Sequence, residues 1–380
     1  MSVVLHWFLP TAGDSGLNVG LGGATGITGL RADESRGERR PEIAYLAEIA
    51  GAAERLGFAG ALTPASSWCE DAWVVASALA PLTRRFRFLV AFRPGLMSPT
   101  LAAQMAATFQ RVSGGRLMLN VVVGGEDEEQ ARFGDFLAKA DRYARADEFL
   151  SIVRGTWDGG PFDFAGDHIS VEGAQVVPAQ PWPRVYLGGS SRAAMEVAAR
   201  HADVYLTWGE PPAQVAEKIA RARAAADRQG RELAFGIRLH IIARDTSEEA
   251  WAETERILAG LDPALVAARQ AEMRASQSEG QRRMTDLHGG DPSRLVVAPG
   301  LWAGIGLVRA GAGTAIVGSH EEVADRIAEY RELGIDEFIL SGYPHLEEVY
   351  RVGEGVVPIL RARGLVEGDG APVPVAVRGG

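Results

Sequence analysis

Apolar and polar positions along this chain switch repeatedly between two rhythms. Short runs of mostly β-branched or aromatic residues alternate with longer stretches whose apolar positions recur every three or four residues. VVLHWF, residues 3–8, reads as a strand, and PEIAYLAEIAGAAERLG as a helix with proline at its start and Ile43, Leu46, Ile49, Ala53 and Leu56 on one face. The pattern continues with strand FAGALT, helix CEDAWVVASALAPL, strand FRFLVAF, helix SPTLAAQMAATFQRV, strand RLMLNVVVG and a helix over about 141–156. VYLGG is a fifth strand with helix SRAAMEVAARH, ADVYLTW a sixth with helix PPAQVAEKIARARAAADRQG, AFGIRLHIIAR a seventh, and DEFILSG at 336–342 an eighth with a helix after it.

Eight such units predict a closed α/β fold, a (β/α)8 TIM barrel, because strands covered by neighbours and by a helix are apolar nearly throughout. Residues 1–364 are expected to form one barrel domain and 365–380 a flexible tail. Three inserts interrupt the barrel pattern: a glycine-rich one at 13–40, a β-hairpin around a Gly-Asp turn at 161–177, and a long polar stretch at 262–300 expected to be a mobile lid.

Composition narrows the classes. Hydrophobic residues at 47% and charged residues at 23% fit a globular chain, and a net charge of -10 argues against a nucleic-acid partner. The one cysteine allows no intrachain disulfide. MSVVLHWFLP has no basic start, and the apolar stretch at 295–318 is broken by Arg309 and glycines, so no signal peptide and no membrane span are expected, and the chain is placed in the cytoplasm.

Barrel enzymes carry their chemistry at the C-terminal ends of strands. Cys69, Arg93, Asn120, Gly188 to Ser191, Trp208, Tyr343 and His345 all follow or end predicted strands. Arg238 and His240 lie two apart in the seventh strand and therefore share one face. Facing outward, they would meet helix carboxylates; facing inward, they would make an anion clamp beside a proton acceptor. Gly188-Gly189-Ser190-Ser191 is a strand, a glycine turn and two hydroxyls at a helix start, which suits either a phosphate or an ordinary N-cap. Ser319 and Glu322 have the spacing of a structural capping box. Cys69 is expected to begin a helix, where Glu70 and Asp71 oppose thiolate formation, so an inert thiol outweighs a nucleophile. No metal-ligand spacing, phosphate loop or serine-nucleophile motif occurs, and no metal is expected.

WFLPT, SSWCEDAW, LTWGEPP, GIRLH, GLVRAGAGTA and SGYPHLEEVYRVGE, in that order from residue 3 to about 360, resemble the two-component alkanesulfonate monooxygenases of the bacterial luciferase superfamily. The resemblance implies an enzyme that uses FMNH2 and O2 to cleave an alkanesulfonate to an aldehyde and sulfite. It also implies a separate NAD(P)H:FMN reductase as partner and a homodimer or homotetramer. Carried over by position, it makes Arg238, His240, Tyr343, Arg309 and Cys69 catalytic, with His240 as base or proton relay. Arg238, Arg309, Trp208 and Tyr343 would hold the substrate, and Asn120, Tyr143, Gly189, Ser190 and Ser191 the flavin. The chain departs from the family at Ala12, where a histidine is common, and in the glycine-rich insert that follows, which changes the wall of the substrate mouth and opens the way to another organosulfur compound. Two other readings remain: a deazaflavin-dependent oxidoreductase of the same superfamily, and a flavin-binding protein without catalysis.

Overall fold

The computed structural model describes residues 2–14 and 39–367. Four parallel strands come first: β1 (Val4–Phe8), β2 (Gly60–Thr63), β3 (Arg87–Phe92) and β4 (Leu117–Val121). A two-stranded hairpin, β5 (Phe162–Ala165) and β6 (Ser170–Ala174), occupies the expected insert. β7 (Arg184–Gly188), β8 (Val204–Trp208) and β9 (Ala234–Arg244) follow, then β10 (Val296–Ala298), β11 (Leu301–Trp302), β12 (Ala315–Ser319) and β13 (Glu337–Ser341). Eight of them, β1, β2, β3, β4, β7, β8, β9 and β13, pair in parallel and close into a barrel where β8 meets β9. The expected fold class is therefore the observed one.

The helices α1 (Ile43–Leu56), α2 (Ala72–Leu79), α3 (Pro99–Ser113), α4 (Asp127–Arg132), α5 (Lys139–Trp157), α6 (Arg192–His201) and α7 (Pro212–Asp227) connect the first seven barrel strands. Local chemistry sets their ends. In α3, the Ser98 side chain accepts from Leu101 N, Pro99 opens the first turn, and Gly114 closes the helix at φ 69.

β9 is the longest strand, and its length organises the site. β8 pairs with Ala234 to Arg238, whereas β12 takes the same edge from His240 to Arg244, above the barrel proper. The long chain between β9 and β13 contains α8 (Ser247–Ala259), α9 (Pro263–Ala275), α10 (Glu279–His288) and, after β12, α11 (His320–Glu332). The 262–300 stretch is thus mostly helix rather than loop, because Asp262 and Ser278 cap α9 and α10, and several of its polar residues, Arg269, Gln270, Gln281, Thr285 and His288, are buried on the inner faces. The capping box at Ser319 and Glu322 opens α11 as expected. α12 (His345–Arg351) and α13 (Val357–Ala362) complete the ring.

One further expectation changes at the C-terminus, and one falls largely outside the described residues. Most of the 13–40 insert lies outside the described residues, but its ends are joined, with Asp14 and Arg39 exchanging backbone hydrogen bonds at 2.9 and 2.7 Å. Leu365 is not free tail, since its carbonyl accepts from Val3 N at 2.6 Å; residues 368–380 lie outside the described residues.

At the N-terminal end of the barrel, buried Glu337 accepts from His6 Nε2 (3.0 Å), Arg184 Nη1 (2.6 Å) and the Tyr186 hydroxyl (2.7 Å). Burial alone would raise its carboxyl, but the His6 hydrogen bond and the Arg184 charge bring it down to about 2. This network is remote from the strand ends that carry chemistry and belongs to stability.

Candidate active site

At the C-terminal mouth of the barrel a cavity of about 370 Å³ is lined by Asn120 of β4, Tyr143 of α5, the Gly188 to Ser191 turn after β7, Trp208 of β8, Arg238 of β9 and Ser278 to Gln281 at the start of α10. The turn is built for close approach. Gly189 has φ 140, and a Cβ there would lie 2.6 Å from Ala194 Cβ and 3.1 Å from the Tyr143 hydroxyl. Tyr205 donates to the Gly189 carbonyl at 2.5 Å, and Tyr143 hydrogen-bonds Ser191. Ser191 also caps α6 by accepting from Ala194 N at 3.3 Å, so the ordinary N-cap role is present beside the proposed ligand role.

Opposite the turn, a Cβ on Gly280 would come within 3.0 Å of Trp208 and 3.5 Å of Ser190 Oγ, so α10 lies directly across the cavity. The N-cap of α6, Ser191, and the N-cap and first turn of α10, Ser278 to Gln281 with Glu279 among them, therefore come to one cavity, with Lys139 in its wall. Aligned peptide dipoles and free N–H groups favour an anion there. Arg283 holds α10 down through two contacts to buried Glu210, at 2.9 and 2.7 Å, and Lys218 meets the same carboxylate at 2.6 Å.

The Arg238 and His240 pair faces inward, and both side chains are buried. Arg238 donates from Nη1 to the Leu239 carbonyl at 2.6 Å and from Nη2 to Ser341 Oγ at 2.7 Å. Ser341 Oγ lies 2.8 Å from His240 Nδ1. His240 Nε2 lies 3.0 Å from the Ala312 carbonyl oxygen and 2.8 Å from Arg309 Nη1. Tyr343 stacks on the imidazole with centroids 5.4 Å apart, and the Arg238 and Arg309 guanidinium carbons lie 4.8 and 5.3 Å from the Phe8 ring centroid.

Neither arginine has a carboxylate partner among the described residues. Burial, then the Arg309 charge, pushes Arg238 down to about 9. Burial, then the Arg238 charge, holds His240 and His345 well below the usual imidazole range, so both rings are neutral at neutral pH. The result is a cationic corner with two guanidinium groups, a neutral base and no carboxylate partner among the described residues, an arrangement suited to an oxyanion.

Asn120, Tyr143, Gly189, Ser190, Ser191, Trp208 and Arg238 thus meet in one cavity, and Arg238, His240, Arg309 and Tyr343 in one cluster that shares Arg238 with it. Cys69 joins neither. It precedes α2, whose cap is Asp71, so the expected helix-start position is corrected. Its thiol contacts the Pro64 and Ser66 carbonyls at 3.7 and 3.6 Å, and burial raises its pKa, which favours the protonated thiol. Arg93 pairs with Glu129 at 2.7 Å and is not a free anion ligand. Sequence reasoning missed Phe8 and Ser341, for which the WFLPT run and the SG pair ending the eighth strand were usable signals; the α10 wall comes from the 262–300 stretch expected as a lid.

Comparison with known proteins agrees with this architecture. Residues 6–337 match the profile described as luciferase-like monooxygenase. A riboflavin lyase, solved with modified FMN and riboflavin, superposes with TM-score 0.80 at 21% identity, covering 97% of this chain and 93% of that one. The EDTA monooxygenase of Chelativorans sp. BNC1 gives 0.75 at 21% identity over 97% and 95%, and a long-chain alkane monooxygenase gives 0.78 at 19% over 98% and 94%. A closed parallel barrel, a glycine-serine turn at the fifth barrel strand, and a profile match spanning most of the chain lead to one conclusion: this protein belongs to the luciferase-like monooxygenase family.

Proposed function

We propose that the protein is an FMNH2- and O2-dependent monooxygenase that cleaves the carbon–sulfur bond of an alkanesulfonate or related organosulfur compound, giving an aldehyde and sulfite. The observation that carries this reading is the pair of guanidinium groups, Arg238 and Arg309, without a carboxylate partner among the described residues: Arg238 lines the cavity with the glycine-serine turn, and Arg309 contacts His240 and directly precedes the lining residues Ala310 and Gly311. A sulfonate offers three acceptor oxygens and a fixed negative charge, which matches two guanidinium donors.

The cavity fits a flavin phosphate: Ser190, Ser191 and the Tyr143 hydroxyl converge where only glycine is tolerated at 189, and Asn120 is available to the ring system. FMNH2, delivered by a separate NAD(P)H:FMN reductase, supplies together with O2 the oxidising chemistry. The rest falls to side chains. Arg238 and Arg309 bind and orient the anion, Trp208 packs beside it, and Tyr343 offers a hydroxyl as hydrogen-bond donor. The carbon beside sulfur must lose a proton. His240 is 1% exposed and engaged at both ring nitrogens, so it does not meet substrate directly but takes up a proton relayed through the Ser341 hydroxyl to Nδ1. α10 excludes water from the mouth.

The test is sulfite release from a panel of alkanesulfonates, with a flavin reductase and NADH added. Release that requires both FMNH2 and O2 supports the reading. Hydride transfer to or from a deazaflavin without O2, or no sulfite from any sulfonate, overturns it.

A further inference from the structure

The contacts of His240 contain a conflict. A carbonyl oxygen only accepts and a guanidinium only donates, yet Nε2 has one at 3.0 Å and the other at 2.8 Å. One nitrogen of a neutral imidazole cannot serve both. If Nε2 carries the proton, it donates to Ala312 O, Nδ1 accepts from the Ser341 hydroxyl, and Arg309 Nη1 has no acceptor on the ring. If Nδ1 carries the proton, Arg309 donates to Nε2, Nδ1–H donates to Ser341 Oγ, and Ala312 O loses its donor. Ser341 tolerates either state, because Arg238 Nη2 occupies only one of its two lone pairs and the hydroxyl proton can turn.

Arg309 is the member of the cluster able to leave. It is half-buried, whereas Arg238, His240 and Ser341 are buried, and it precedes exposed Ala310 and Gly311 at φ 90 in the cavity wall. Tyr343 stacked on the ring keeps His240 in place while the proton changes nitrogen.

We propose that Arg309 sets the tautomer of His240: while its guanidinium donates to Nε2 the proton sits on Nδ1, and when an oxyanion in the cavity draws Arg309 away the proton moves to Nε2 and Nδ1 becomes an acceptor for Ser341. This rests on the anionic substrate proposed above and adds a consequence. Anion binding arms the relay, since Nδ1 can take a proton through Ser341 only in the second state. Arg309 and Ser341 are then positioning residues for His240 as well as neighbours of the substrate.

The experiment uses the full chain labelled with 15N-histidine. The shifts of Nδ1 and Nε2 separate a protonated from an unprotonated ring nitrogen, a signature that mere structural support would not move. The parent protein should carry the proton on Nδ1, and Arg309→Ala on Nε2 without any added anion. Propane-1-sulfonate, added anaerobically with FMNH2, should convert the parent to the Nε2–H form. In Ser341→Ala, sulfite formation should fall at least tenfold in kcat while the KM for sulfonate changes less than threefold. Parent and Arg309→Ala sharing one tautomer overturns the switch whatever the substrate is. Sulfonate that binds without moving the parent's tautomer overturns its coupling to the anion. A tautomer change in Arg309→Ala with no sulfonate binding to the parent supports the competition at Nε2 and refutes instead the sulfonate reading of the cavity.

Discussion

Replacing Arg238 with methionine should make the protein more stable and less active. The guanidinium is buried without a carboxylate partner among the described residues, and its pKa is pushed well below the ordinary guanidinium range, to about 9. That difference corresponds to a burial penalty on the order of 5 kcal/mol when the group is charged. The sign follows from proton binding. Below about pH 9 both folded and unfolded chains hold the proton and the penalty is fully present; above it the folded chain binds fewer protons than the unfolded one, and stability recovers as pH rises toward the ordinary guanidinium range. Against the penalty stand the hydrogen bonds to Leu239 O and Ser341 Oγ, each worth about 1 kcal/mol net. Methionine keeps comparable volume against Phe8, so thermal unfolding at pH 7 should shift upward by a few degrees. Activity moves the other way. One charge-assisted contact to an oxyanion is worth roughly 1.5 to 3 kcal/mol, so kcat/KM for the sulfonate should fall roughly 10- to 150-fold. Calorimetry and sulfite release on the same preparations check both halves. An Arg238→Met protein that melts below the parent at pH 7, or one that keeps its kcat/KM within threefold, refutes the view that this cation is held at a cost for the sake of an anion.

The other predictions address separate parts of the molecule. Ser190→Ala with Ser191→Ala should erase most of the preference for FMNH2 over reduced riboflavin in anaerobic titration, and loss of the α6 cap should cost about 1 kcal/mol in denaturant unfolding; equal affinities in the parent would exclude a phosphate at the turn. Arg283→Ala removes both contacts from α10 to Glu210, so hydrogen peroxide should rise and sulfite fall per FMNH2 consumed, with an unchanged ratio counting against α10 as the cover. Glu337, whose carboxyl is depressed from 4.5 to about 2, stabilises the fold above the unfolded value and loses that contribution as pH falls through about 2; Glu337→Gln should therefore be destabilised most near neutrality and converge on the parent in strong acid. Cys69→Ser should keep kcat within a few-fold, since the thiol is protonated and outside both the cavity and the arginine cluster; a hundredfold loss would return Cys69 to the chemistry.

The sequence by itself determined the alternation of strands and helices, because each strand and helix face declares its own periodicity within a few residues. It also determined that Arg238 and His240 share a face and that Ser190 and Ser191 begin a helix. It did not determine which way that face points or what completes it. β9 turns the pair inward because β8 pairs with its first half and β13 with its middle, and the register that sets Ser341 beside His240 joins residues 101 apart. Arg309 arrives from 69 residues beyond His240, on a loop whose position depends on β12 extending the same edge of β9. The polar 262–300 stretch reads as loop when polarity alone is weighed, whereas α9 and α10 are helices whose buried faces exist only against the barrel mouth. Local pattern is written into neighbouring residues, but cross-strand register and the packing of an insert depend on contacts between distant ones, and it is those contacts that gather two arginines, a histidine and a serine into one receptor.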